Sequence, residues 1–179
     1  MSQFSPALDF ILNNEDRNRE YEAVRDDIRR KNPDGTITVI EAWSIAGINS
    51  HYWPTAFANI SRLPQGERGP AVANFYKTEF WDVMRLGGIN SQDLANRVLD
   101  EGVNAGPYTS CRMLQDAVNQ AHGWNVTVDG ILGPDSLTAI NDSDPDKLIA
   151  VFCQLRQARY KATPGTEQEH AAWEARASA

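Results

Sequence analysis

Glu15 is the residue best placed for chemistry. Residues 5–12, Ser5-Pro6-Ala7-Leu8-Asp9-Phe10-Ile11-Leu12, read as the start of an amphipathic helix. Ser5 suits its cap and Pro6 its first turn. At about 100° per residue, Leu8, Ile11, Leu12 and Glu15 share one stripe, with Glu15 about 20° around from Leu8. A carboxylate ending an apolar stripe is expected to be partly desolvated. Desolvation favours the protonated form, which makes Glu15 a candidate general acid. The same pattern is compatible with a helix that ends near Asn13 and turns Glu15 into solvent. Glu79 is a second acid on an apolar face, where an edge position accounts for it. His51, His122 and His170 are far apart, and none has a Cys or His neighbour at metal-ligand spacing. No glycine-rich phosphate loop or nucleophile elbow occurs. No metal and no cofactor are expected.

The elements that must position Glu15 follow from pattern. A helix over residues 6–14 precedes a charge-dense stretch, residues 16–31, whose Tyr21, Val24 and Ile28 recur at helical spacing. Asn32-Pro33-Asp34-Gly35 is a strong turn signal. Thr36-Ile37-Thr38-Val39-Ile40 alternates and is β-branched, predicting a short strand, the only convincing one. Gly69-Pro70 opens the clearest helix, with Val72, Phe75, Tyr76, Glu79, Phe80 and Val83 on one face and Gly87-Gly88 at its end. Further helices are predicted from Ser91 (Leu94, Val98 and Leu99 inward), over residues 109–122, through Leu137 and Ile140, and from Asp144-Pro145 (Leu148, Phe152, Leu155 and Arg159 in register). A last helix follows the Thr166–Glu169 capping box. The fold class is mainly α with one small β element.

Composition limits the partners. The chain has 179 residues, 41% hydrophobic and 23% charged, with 17 basic and 24 acidic residues and a formal charge of −7. That balance opposes binding to nucleic acid or an anionic membrane surface. Arg25, Arg29, Arg30 and Lys31 form the one basic cluster, and Asp26, Asp27 and Asp34 flank it, which reads as a solvated face. No apolar run reaches the roughly 20 residues of a membrane span. The N-terminus carries no basic leader, so synthesis in the cytoplasm without a signal peptide is expected. Cys111 and Cys153 fall in different predicted helices. Two free thiols fit a cytoplasm-made chain, and a disulfide stays open.

Several runs in order resemble one family. Phe10-Ile11-Leu12-Asn13-Asn14-Glu15 resembles the opening of the glycoside hydrolase 108 family, phage- and prophage-type N-acetylmuramidases also described as secretion activator proteins. There a helix leads to Glu-Gly-Gly-Tyr and the Glu is catalytic. Ile45-Ala46-Gly47-Ile48-Asn49-Ser50 with Tyr52-Trp53-Pro54 resembles its Tyr-Gly-Ile-Ser segment and the aromatic-Pro after it. Phe75-Tyr76 and Phe80-Trp81 resemble its aromatic helix, and Leu99-Asp100-Glu101-Gly102-Val103-Asn104-Ala105-Gly106 its Asp-x-x-Val-Asn-x-Gly helix, followed by Leu114-Gln115. Val128-Asp129-Gly130-Ile131-Leu132-Gly133-Pro134 is similar to the signature of the family's fused peptidoglycan-binding region, whose next helix and closing Gly-Trp-x-x-Arg resemble Arg156, Arg159, Tyr160 and Trp173-Glu174-Ala175-Arg176. Ala172 replaces the glycine of that closing run, and the other departures lie in one place. The two glycines after Glu are Asp16 and Arg17 here, the Asp-Pro-Gly-Gly-x-Thr segment has no clean match, and Ser44 takes its Thr position.

The resemblance implies a lysozyme-like helical domain with a small β wing after the first helix. It implies a muramidase region over residues 1–107 and a helical peptidoglycan-binding-like region over 108–179, packed as one globule and monomeric. The implied activity is cleavage of the β-1,4 bond between N-acetylmuramic acid and N-acetylglucosamine, with peptidoglycan glycan strands as partner and Glu15 as acid. Such an enzyme acts in the periplasm or at the cell wall after export or release, through a holin or a secretion system. Glycoside hydrolysis needs a second group to position water or stabilise the sugar cation. Glu22, Asp26, Asp27, Asp34 and Glu41 are the acids available, with Thr36, Thr38 and Ser44 as hydroxyls; Glu41, next to the strand and the Gly47 turn, ranks first. Trp43, Ser44, Tyr52 and Asn104 are the candidate substrate contacts. Asn104 also fits a structural role, and Trp53 and Trp81 a core one. Two other readings stay open: a non-catalytic wall-binding or secretion-assisting protein, and lytic transglycosylation of the same glycan.

Overall fold

The computed structural model describes residues 1–163. The Thr166–Glu169 capping box, His170 and residues 173–176 lie outside them. The chain is mainly α with a small β portion after the first helix, as expected. It divides into two compact units, one of residues 8–79 and one of residues 1–7 with residue 80 onward. That division falls at 79/80, whereas the sequence motifs change at 107/108.

The first helix, α1 (Phe4–Glu15), begins two residues earlier than predicted, so Ser5 sits in its first turn rather than capping it. Ala7, Ile11 and Leu12 are buried and Leu8 is half-buried. The helix continues through Glu15, which rules out the ending near Asn13.

Five short strands follow where the sequence pattern indicates one. They are β1 (Ala23–Arg25), β2 (Ile28–Lys31), β3 (Ile37–Ile40), β4 (Trp43–Ile45) and β5 (Ile48–Asn49). β1, β4 and β5 form one antiparallel sheet, and β2 and β3 form a separate hairpin. The helical spacing of Tyr21, Val24 and Ile28 misleads because strands of two to four residues are too short to display alternation. The predicted turn at residues 32–35 does form: Gly35 N–H donates to the Asn32 carbonyl, and Gly35 takes φ +84°. The β4–β5 turn consists of Ala46 (φ +46°) and Gly47 (φ +79°). Positive φ at both central residues is the type I′ geometry that matches strand twist. Ala46 is strained there, at a cost of about 1–3 kcal/mol.

α2 (Pro54–Ser61) and α3 (Arg68–Tyr76) complete residues 8–79. The long helix predicted from Gly69 does not run straight on. It widens into a π-helical turn over Lys77–Trp81. The extra residue in that turn slips the stripe, so Phe80, Trp81 and Met84 are buried while Glu79 and Val83 face solvent.

The other unit holds α4 (Gln92–Ala105), α5 (Pro107–His122), α6 (Pro134–Asn141) and α7 (Pro145–Ala162). Ser91 caps α4 by accepting the Leu94 N–H, and Asp144 caps α7 by accepting from Lys147, each worth about 1 kcal/mol. α7 packs on α4 and α5 around a fully buried ion cluster. Arg156 bonds Asp100 (2.5 Å) and Glu101 (3.0 Å), and the Tyr160 hydroxyl donates to Glu101 at 2.9 Å. Burial, then the Glu101 charge, push Tyr160 up to about 12. Burial works against the Arg156 cation, but Asp100, Tyr160 and Glu101 outweigh it and raise its pKa. Cys111 and Cys153 are unpaired, and burial raises the Cys111 thiol to about 12.

Candidate active site

Glu15 ends α1 with its carboxylate laid against the β4–β5 turn. A Cβ built on Gly47 would lie 2.7 Å from Glu15 Oε2 and 2.8 Å from the Tyr76 hydroxyl oxygen. Gly47 is thus required twice, for its positive φ and for the space the carboxylate occupies. The Tyr76 hydroxyl donates to the Ala46 carbonyl at 2.7 Å and ties α3 to the strained turn. Tyr76 is buried and Glu15 half-buried.

The segment after Glu15, where the resembled family carries two glycines, is held by side chains. The Asp16 carboxylate accepts the N–H groups of Glu20 and Tyr21 at 3.1 and 2.8 Å. The Arg19 guanidinium lies over the end of α1, donating to the Asp16 carbonyl at 2.9 Å and to Asn13 Oδ1 at 3.1 Å. Arg19 and Tyr21 take φ +57° and +52°, conformations glycine would adopt without strain. Arg68 then staples this segment, donating to the carbonyls of Tyr21, Leu63 and Ser61.

A second acid is anchored on the sheet. Asp26 follows β1, and its carboxylate accepts the Ser44 hydroxyl at 2.5 Å and the Asn49 amide at 2.9 Å. Ser44 and Asn49 are register partners across β4 and β5, and both are buried. Asp26 itself is exposed, so one rigid pair holds a carboxylate that still reaches solvent. The arrangement can orient a water molecule: one oxygen is fixed and the carboxylate keeps further lone pairs.

Glu41 is placed differently. Its side chain is 80% exposed and pairs with Arg25 at 3.0 Å. Arg25 also bonds Asp27 at 2.8 Å, which holds the Asp27 carboxyl below its ordinary range. Asp34 is likewise lowered, by the Thr36 hydroxyl and N–H. Glu22, Thr36 and Thr38 are exposed, the threonines in the β2–β3 hairpin.

Among the predicted substrate contacts, Trp43 is 48% and Tyr52 64% exposed, with the Tyr52 ring edge-on to His51. Trp43 pairs with Ser50 through its backbone at the open end of the β4–β5 hairpin. Trp53 is half-buried and packs edge-on against Phe75, and buried Trp81 does the same with Phe4, the core roles the pattern favoured. Asn104 lies in the other unit, where its amide donates to the Asp100 carbonyl one helical turn back.

Residues 128–133 form a loop built on buried Gln115. Its amide donates to Asp129, the Ile131 carbonyl and Ser136, and its oxygen accepts the Gly130 N–H. The Gln115 bond lowers the Asp129 carboxyl, and Asp129 in turn accepts the Ile131 N–H. Asp129 thus shapes the turn.

Two comparisons with known proteins bear on the chain. Residues 109–172 match a family model described as "Predicted Peptidoglycan domain". The last third of the chain is therefore a peptidoglycan-associated region. The structure of Brucella abortus SagA is similar over 98% of this chain and 89% of that one, with a TM-score of 0.69 and 20% identity. At that identity the likeness shows a shared fold. No curated protein matches the chain.

Proposed function

We propose that the protein is a peptidoglycan hydrolase of the N-acetylmuramidase type, cleaving the β-1,4 bond between N-acetylmuramic acid and N-acetylglucosamine. The observation that carries this reading is the pair of acids held against one hairpin, β4–β5. Glu15 sits at the Ala46-Gly47 turn, and Asp26 is held at the Ser44–Asn49 pair. Glu15 donates the proton to the leaving oxygen. Asp26, with Ser44, holds the attacking water, the role the sequence ranking gave to Glu41. Exposed Trp43 and Tyr52 offer flat faces for sugar rings. The resemblance to glycoside hydrolase 108 and the peptidoglycan domain match both support the same substrate. The wall lies outside the cytoplasm, so the protein reaches it by export or release.

Incubation with purified peptidoglycan, followed by mass spectrometry and proton NMR of the fragments, tests the reading. It predicts hydrated muramic acid reducing ends, and the anomer formed first separates inversion from retention. Anhydro-muramyl ends would instead assign a transglycosylase. The peptidoglycan domain match also favours a second reading, wall binding without turnover. Sedimentation with insoluble wall and no soluble fragment would select that one.

A further inference from the structure

The acids that flank the basic cluster at the start of the β wing are each held by groups other than Arg29 and Arg30. Asp26 is engaged by Ser44 and Asn49, Asp27 by Arg25, and Asp34 by Thr36. Arg29 acts on Asp27 only through space, as the last of that group's influences. Among the described residues neither Arg29 nor Arg30 has an ion-pair partner within 4 Å. In a chain of net charge −7, two guanidinium groups on one short strand, both outside any ion pair among the described residues, leave room for an anionic ligand.

Register assigns the two to different faces. Arg29 lies directly opposite Val39, and Ile37 is two residues further along the same face. Arg30 lies opposite Thr38 on the other face, with half-buried Ile28 and Ile40. Val39 is 53% and Ile37 61% exposed. The outer face therefore presents a guanidinium fork beside two uncovered branched side chains. Arg29 is three residues beyond Asp26, at most about 11 Å along the chain.

We propose that Arg29, with Val39 and Ile37, forms a subsite for the peptide stem that substitutes the muramic acid, pairing the guanidinium with a stem carboxylate and the apolar pair with alanyl methyl groups. This rests on the peptidoglycan reading above. The stem is favoured over a lipid surface because stable adsorption to anionic bilayers takes clusters of about four to eight basic residues. The short reach from Asp26 also fits a substituent of the sugar being cleaved.

The test compares wild type, Arg29→Gln and Arg30→Gln on stem-bearing peptidoglycan fragments and on the same glycan stripped of peptides by an amidase. Arg30 is the control, carrying the same charge one residue away on the opposite face. Losing one bidentate charge-assisted contact, Arg29→Gln should raise KM about tenfold on the stem-bearing substrate, with kcat kept and the stripped glycan unaffected. Arg30→Gln should change either by no more than about twofold. Equal effects of the two variants would mean diffuse attraction and overturn the subsite. So would an unchanged KM in Arg29→Gln, an equal loss on stripped glycan, or Arg29-dependent sedimentation with phosphatidylglycerol vesicles. Binding of the three proteins to insoluble intact and stripped wall is measured in parallel. If wild type releases no fragments, hydrolysis is refuted, while the Arg29-specific difference in wall binding still decides the subsite.

Discussion

Gly47→Ala tests the packing that holds Glu15, and the molecule contains its own control. Gly47 and Gly35 both take positive φ, +79° and +84°. A Cβ at Gly35 meets nothing within 4 Å, whereas one at Gly47 falls 2.7 Å from Glu15 Oε2 and 2.8 Å from the Tyr76 hydroxyl. Gly35→Ala should cost only backbone strain, about 1–2 kcal/mol, and leave turnover intact. Gly47→Ala carries the same strain and must also displace the carboxylate and the Tyr76–Ala46 hydrogen bond, a further 0.5–1.5 kcal/mol or so for the bond alone. In a chain of this size about 2–4 kcal/mol lowers Tm by roughly 4–15 °C. Displacing the acid by about 1 Å should cost on the order of 100-fold in rate. Thermal unfolding and fragment release from purified peptidoglycan would be measured for both variants. Equal Tm losses, or Gly47→Ala turning over at the wild-type rate, would refute the claim that Gly47 makes room for Glu15.

Three further outcomes follow from the geometry. Asp26→Asn should reduce turnover about 100-fold or more while Glu41→Gln stays near wild type, read by the same fragment assay; the reverse would return the second role to Glu41. Arg156→Ala leaves Asp100 without its guanidinium and Glu101 with only the half-buried Arg159 at 3.4 Å, and should cost about 3–5 kcal/mol, visible as a Tm drop of about 6–20 °C. Cys111 and Tyr160 both titrate near 12 in the folded state, above the ordinary values of 9.0 and 10.0, so the folded protein keeps protons that the unfolded chain releases. Their stability contribution is present below pH 9 and is lost as pH rises toward 12, at roughly 1.4 kcal/mol per pH unit for each group. In a Tm series from pH 8 to 12, Cys111→Ala should move the onset of that loss from about 9 to about 10.

Much of the architecture was legible because it rests on long periodic elements. α4, α5 and α7 have many turns, caps such as Ser91 and Asp144, and apolar stripes that burial repeats. The wing was not, since its strands are too short to show a period and β2 reads as charge. Glu15 was legible as an acid ending an apolar stripe, but Gly47 acquires its meaning only when the turn meets the carboxylate. Tyr76 read as a core aromatic, and its hydroxyl reaches a carbonyl 30 residues back. Asp26 was one acid among five until Ser44 and Asn49 were brought to it by a register that sequence alone does not set. The same holds for Asp100 and Glu101, whose partner Arg156 lies more than 50 residues away.

The central claim is that Glu15 delivers the proton to the glycosidic oxygen. Glu15→Gln keeps the size of the side chain and removes the transferable proton. Reducing-sugar release from purified peptidoglycan by this variant, with a Tm close to wild type, is the most direct measurement. Loss of at least about 1,000-fold is the predicted result. Undiminished release would contradict it.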